Sequence, residues 1–266
     1  MISKHRVIRS PRARTIGFAA VSFAIAGATV FACADSTPPD ASGTFFGPVT
    51  TMAGGTARAY VTLDGSGMPT DLGVALTETA LSELPAAKAE FVFALPPQAS
   101  ATPFKHAVIN WEPVGHPPAM VYTVPHFDVH FYMITQAQRE AILLGDAPLA
   151  AKMLLQPAPE FIPAGYVTGG NSAQMGLHWR DPAAPELLLG EPFTKTLIYG
   201  SYDGAMIFTE PMLAKAYLET KPVAVVTPAK LPAQYAARGY QPTSYTVNWD
   251  ASAKEYRVAL SGLVLR

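Results

Sequence analysis

VPHFDVHFYM, residues 124–133, sets three ionisable side chains in strict alternation with apolar ones. His126, Asp128 and His130 stand at every second position, between Phe127, Val129 and Phe131. In a β-strand, successive side chains point to opposite faces. A strand here therefore turns His126, Asp128, His130 and Tyr132 one way, and Phe127, Val129, Phe131 and Met133 the other, towards a core. A helix would pair His126 with His130 but scatter the aromatic residues, and Pro125 with the β-branched and aromatic content favours the strand. Along a straight strand, the outer two of the three polar residues lie roughly 13 Å apart. A metal ion sits only about 2.0–2.2 Å from each ligand. Two adjacent members of the face can share one ion, whereas all three need a bend or converging side chains. Asp128 can ligate, or it can hold an imidazole in its working tautomer.

Outward from this strand, short apolar runs are separated by turn residues. Gly (20) and Pro (25) are frequent and evenly spread, which favours strands and turns over long helices. TARAYVTLDGSGMPTDLGVAL (56–76) reads as two strands around a turn at 64–67, and AEFVFALP and HAVINWEP as further strands. LIYGSYDGAMIF is the clearest hairpin, with Asp203-Gly204 suited to a tight turn, and TSYTVNWDASAKEYRVALSGLVL a last one. Helices are expected at TQAQREAILLGD, with Thr135 and Gln138 forming a capping box, and at TEPMLAKAYLET, with Glu210 opening it and Pro211 in its first turn. LTETALSELP suits a short third helix. Residues 156–174 are rich in Pro and Gly without periodicity, and so long a connection is often functional. The expected fold is mainly antiparallel β, a barrel or sandwich, with two or three short helices.

Further ligands for the polar face must come from elsewhere. Outside the first 32 residues, the histidines are His106, His116, His126, His130 and His178. The favoured cluster is His126, His130 and His178, with Asp128, His116 and Glu210 as further candidates. Imidazoles with carboxylate suit a divalent transition metal such as Zn, Fe or Mn, with Cu also compatible. The competing reading is a hydrogen-bonded histidine face without chemistry. His106 and His116, taken singly, read as structural, as do Trp111 and Trp179.

Residues 1–32 contain Lys4, Arg6, Arg9, Arg12 and Arg14 and no acidic residue, followed by an apolar run over 15–32. This pattern suits a secretory signal. It ends in Val-Phe-Ala-Cys, and Cys33, the sole cysteine, matches the acylated position of a bacterial lipobox. Residues 33–42 then read as a polar, Pro-containing tether, and 43–266 as one β-rich domain. With all five leader charges basic, the chain from Cys33 onward carries −6, against −1 for the full sequence. An acidic body without a basic run excludes nucleic acid as the expected partner. Charged residues make up only 15 % and hydrophobic ones 49 %, which hints at a homo-oligomer.

INWEPVGHPPAMVYTVPHFDVHFYMI, with MGLHWRD and YGSYDGAMIFTEPM, resembles an uncharacterised bacterial family whose members carry His-Phe-Asp-x-His-Phe-Tyr. One member is a thermophile protein under extracytoplasmic sigma-factor control. The resemblance spans most of 43–265 and carries over His116, His126, Asp128, His130, His178 and Glu210 as motif positions. Glu112 stands where Asn is expected in the family. The resemblance implies a β-rich fold, a homo-oligomer and an envelope location, and it implies no activity.

Three functions are therefore in play. The leading expectation is a lipid-anchored envelope protein, on the periplasmic or extracellular face, that binds a divalent metal or small ligand. The second is a metal-dependent enzyme of hydrolase or non-haem iron oxygenase type. The third is a structural stress-response assembly.

Overall fold

The computed structural model describes residues 42–266. The signal segment and Cys33 lie outside the described residues, as does the tether apart from Ser42. Four strands open the first sheet: Gly43–Phe46 (β1), Thr50–Met52 (β2), Gly55–Leu63 (β3) and Pro69–Thr77 (β4). The next seven form the second sheet: Ala89–Ala94 (β5), His106–Glu112 (β6), His126–Tyr132 (β7), Val167–Ser172 (β8), Gly176–Arg180 (β9), Lys195–Tyr202 (β10) and Ala205–Ala214 (β11). The chain then returns through Val225–Pro228 (β12), Tyr240–Gln241 (β13), Ser244–Asp250 (β14), Glu255–Ser261 (β15) and Val264–Leu265 (β16). β12, β14 and β15 rejoin the first sheet, while β13 and β16 pair separately.

Both large sheets are antiparallel and open, with orders β1-β3-β4-β15-β14-β12 and β5-β6-β7-β11-β10-β9-β8. Of the two expected architectures, the protein is a sandwich and not a closed barrel. The inner faces share one core. Val61, Leu72, Val74, Val247, Val258 and Leu260 of the first sheet join Ile109, Phe127, Val129, Phe131, Leu197 and Leu213 of the second. The apolar half of the opening motif therefore faces this core, as its period of two requires.

Local signals account for much of this. Asp64 Oδ1 accepts from the amides of Ser66 and Met68, closing the β3–β4 turn. Asp203 and Gly204 take φ of 51° and 78°, the mirror-image turn that matches strand twist. Thr135 and Gln138 form a complete capping box on helix α1, Gln136–Glu140. The remaining helices are Ala147–Leu154 (α2), Pro185–Leu188 (α3) and Lys215–Glu219 (α4).

Three expectations are corrected. TEPMLAKAYLET is not one helix: β11 runs through Ala214 and only Lys215–Glu219 is helical. Glu210 and Pro211 thus lie mid-strand, where pairing on both sides and a buried apolar run override the helical signal. Pro211 lacks an N–H, and β11 pairs with β7 at Thr209–Phe131 and again at Met212–Asp128, skipping the two residues between. LTETALSELP yields one 3₁₀ turn, Glu78–Leu81. The connection after Gln156 is also not wholly irregular, since it contains β8.

Candidate metal centre

The outer face of the second sheet carries the polar half of the motif, and it is not wet. His126 and His130 are fully buried, and Asp128 is 4 % exposed. Register fixes their neighbours: Glu112 lies opposite His126, Asn110 opposite Asp128 and Val108 opposite His130. On the other side, Met212 pairs with Asp128 and Phe208 with Tyr132, which puts Glu210 level with His130. His178 is brought in by β9, where it pairs with Gly200 of β10.

The residues between β6 and β7 fold back over this face. Gly115, at φ +69°, makes the turn, and a Cβ there would meet the Tyr122 carbonyl oxygen at 1.9 Å. Only glycine tolerates both conditions. The turn delivers His116 onto His126, with ring centroids 4.7 Å apart. Tyr122 and Phe193 pack edge-on around the two rings, and the Tyr122 hydroxyl donates to Glu186 Oε1 at 3.0 Å. On the other side, the Phe208 ring contacts both His130 (4.8 Å) and His178 (5.6 Å). Gly200 makes room for it, because a Cβ there would lie 2.0 Å from the ring.

Two groups of ligand-type atoms result. In one, His126 Nε2 lies 3.1 Å from Asp128 Oδ1, and His116 Nε2 lies 3.5 Å from Asp128 Oδ2. In the other, His130 Nε2 lies 3.3 Å from Glu210 Oε2, with His178 completing the trio. Within each group the ligand atoms all lie within 4.8 Å of one another. Ligands on one ion at about 2.0–2.1 Å are separated by roughly 2.9–3.4 Å in octahedral or tetrahedral arrangements. The approaches at 3.1 and 3.3 Å match those edges, and the one at 3.5 Å lies just beyond them. The single cluster of His126, His130 and His178 expected from sequence is corrected: His126 belongs to one group, His130 and His178 to the other. His126 and His130, four residues apart on β7, are too widely spaced to converge, so His126 shares its group with the adjacent Asp128 and with His116, while His130 recruits His178 and Glu210 from later strands.

Tautomers follow from the Nδ1 contacts. Nδ1 of His116 donates to the Pro117 carbonyl (2.8 Å), that of His126 to Val124 (2.8 Å) and that of His178 to Gly170 (3.1 Å). A carbonyl only accepts, so Nδ1 carries the hydrogen. In the neutral ring, Nε2 then presents a lone pair, and in the first group it faces a carboxylate. Among the described residues, His126 Nε2, Asp128 Oδ1, both ring nitrogens of His130 and Glu210 Oε2 are buried without a hydrogen-bond partner. Facing acceptors without a proton repel one another. A cation between them, or protons, must offset that cost.

The electrostatics of the two groups differ. Burial pushes the Asp128 carboxyl up, but the facing His116 and His126 rings outweigh it and hold the group well below the usual carboxylate range. His116 is raised: burial opposes its charge, and Asp128 more than compensates. In the second group, burial and the neighbouring Asp128 charge push Glu210 well above the carboxylate range. Burial lowers His130 to about 3, although Asp128 opposes the shift, and burial also lowers His178. One group thus favours charge separation and the other neutrality.

Both groups border one cavity of about 590 Å³. His116, Asp128, His178 and Glu210 line it, together with Arg180 and Lys88, while His126 and His130 stand behind. Met175, Ile198, Met212 and Tyr122 supply apolar wall, and residues 168–172 of β8 form one side. His106 joins neither group; it stacks on Tyr132 at 4.9 Å. Trp111 and Trp179 are core residues with their indole N–H groups bonded to Pro85 O and Ser201 Oγ. Sequence reasoning missed Arg180, although it lies two residues after His178 and shares its strand face by the same period of two.

Comparison with known proteins places the β4–β6 segment only. No curated protein matches the chain, and no solved structure does. A family model described as "TTHB210-like: Hypothetical protein TTHB210" matches residues 64–111, from the β3–β4 turn to Trp111 of β6, so that segment is similar to a family of hypothetical proteins, and the match ends before His116 and the His-Phe-Asp-Val-His-Phe-Tyr strand.

Proposed function

We propose that this protein binds divalent transition-metal ions at two adjacent sites, His116/His126/Asp128 and His130/His178/Glu210. The supporting observation is the pair of buried carboxylates, each set against imidazole nitrogens that have no hydrogen-bond donor to meet them. Two imidazoles and one carboxylate per site suit Zn, Fe or Mn, and the backbone carbonyls on three Nδ1 atoms orient the rings as outer partners of metal-bound histidines do. The leader and Cys33 support a lipid-anchored location in the cell envelope, which retention of a Cys33→Ser variant in the membrane fraction would refute.

Elemental analysis of the purified full chain tests the metal reading. Two ions per chain are expected in the wild type, and one in either His126→Ala or His130→Ala. A chain that takes up no Zn, Fe or Mn after dialysis against each ion overturns it.

A second reading, metal-dependent catalysis, is favoured by a specific feature. Each site offers three protein ligands beside an open cavity, which leaves coordination positions for water or substrate, as in catalytic zinc sites. Hydrolysis of activated esters and phosphate esters by the metal-loaded protein, abolished by Glu210→Gln, would establish it.

A further inference from the structure

We infer that the cavity beside the two metal sites receives a small organic molecule through a doubly charged oxyanion head, a phosphate group, with Arg180 as its clamp. The inference rests on the metal reading and names the ligand class of that same site.

Charge decides the sign of the ligand. Two divalent ions bring four positive charges, and the coordinating carboxylates of Asp128 and Glu210 return two; the four imidazoles are neutral ligands. Lys88 at the rim is matched by Glu112 at 2.6 Å. Arg180 has no ion-pair partner among the described residues, and its Nε is buried without a hydrogen bond. The loaded cavity is therefore strongly positive, with an unspent guanidinium in its wall. A guanidinium offers parallel N–H donors that fit phosphate oxygens two at a time. A neutral or cationic ligand would leave that charge unmatched, and a monocarboxylate would offset only part of it.

Space and lining decide the rest. A cavity of about 590 Å³ falls within the range that holds metabolite-sized ligands, roughly 300–1,000 Å³, and exceeds what a bare ion needs. Met175, Ile198, Met212 and Tyr122 give the walls apolar surface for an organic body. The metals and Arg180 would hold the head, and these side chains the remainder.

The test uses the full chain loaded with zinc, its metal content measured on the same sample. Inorganic phosphate, phenyl phosphate and benzoate are titrated by calorimetry into the wild type, Arg180→Gln and Arg180→Lys, and into metal-free wild type. Phenyl phosphate is expected to bind one per chain, about tenfold or more tighter than benzoate and tighter than inorganic phosphate. Arg180→Gln should weaken it about tenfold or more at unchanged zinc content, Arg180→Lys should weaken it less, and the metal-free chain should not bind. Zinc retained with no phosphate binding overturns the inference, as does benzoate binding as tightly as phenyl phosphate, or equal affinity in either metal-free protein or the Arg180 variants. Should Arg180→Gln fail to fold, the Arg180→Lys and metal-free titrations decide. Failure to take up zinc removes the metal reading itself and this inference with it.

Discussion

His126 Nε2 and Asp128 Oδ1 approach to 3.1 Å, and neither atom has a hydrogen-bond partner. The imidazole is held in place from behind by Nδ1–H donating to the Val124 carbonyl. Two buried acceptors brought face to face mark the position of a missing positive charge. His130 Nε2 and Glu210 Oε2 likewise approach to 3.3 Å with no hydrogen-bond partner.

Metal should stabilise the fold. An ion that binds only the native state adds RT ln(1 + [L]/Kd), about 2.7 kcal/mol at a hundredfold excess over Kd. The midpoint of thermal unfolding is expected to rise by several degrees with zinc and to return on chelation. In His126→Ala with His130→Ala, the midpoint should not respond to zinc.

Metal binding should release protons. Glu210 is pushed well above the carboxylate range and His116 is raised, so each keeps its proton to a higher pH than it otherwise would and an ion must compete with it; His130, lowered to about 3, holds none near neutrality. Affinity is therefore expected to increase with pH as these groups lose their protons. Calorimetry in buffers of different ionisation enthalpy counts the protons released, and Glu210→Gln should reduce the count.

Acid should destabilise the metal-free protein partly through His106. Burial first and Arg139 second lower this group to about 4, against the Ile134 backbone, Glu140 and Glu90. The unfolded chain takes up the proton first, near pH 6.5, so stability is full above that value and falls until the native group titrates near 4. Each unit between the two corresponds to about 1.4 kcal/mol. His106→Phe, which can keep the stack on Tyr132, should flatten the pH dependence in that window, as read by urea unfolding at several pH values.

Gly200→Ala should damage the second site more than the first. Its Cβ would enter the Phe208 ring, and that ring contacts both His130 and His178. Overpacking of this kind costs about 1–3 kcal/mol. Zinc stoichiometry should fall towards one per chain, with the remaining ion lost on Asp128→Asn. Full retention of both ions would show that Phe208 does not position the rings.

Gly115→Ala should do the converse. Its positive φ and the Tyr122 carbonyl at 1.9 Å exclude a side chain, so the turn that carries His116 must move. The first site is then reduced to His126 and Asp128, and its affinity is expected to drop about tenfold or more, the loss of one ligand. Competition with a chromophoric chelator measures it.

What the sequence determined by itself is local. Alternation over 124–133 specified a strand with one polar and one apolar face, because the period of two is a property of the extended backbone. Asp64, Asp203-Gly204 and the Thr135–Gln138 box specified their turns and cap through bonds a few residues long. The tertiary structure decided everything that depends on distance. It covered the polar face, so that a surface which reads as solvated is fully buried at His126 and His130. It kept Glu210 in a strand against a helical local pattern, because pairing with β7 and β10 and burial outweigh propensity. It also divided one run of ligands between two sites. His116 arrives by a folded-back turn, and His178 and Glu210 by strands about 50 and 80 residues further on. No pattern within one strand encodes which distant segment will lie beside it.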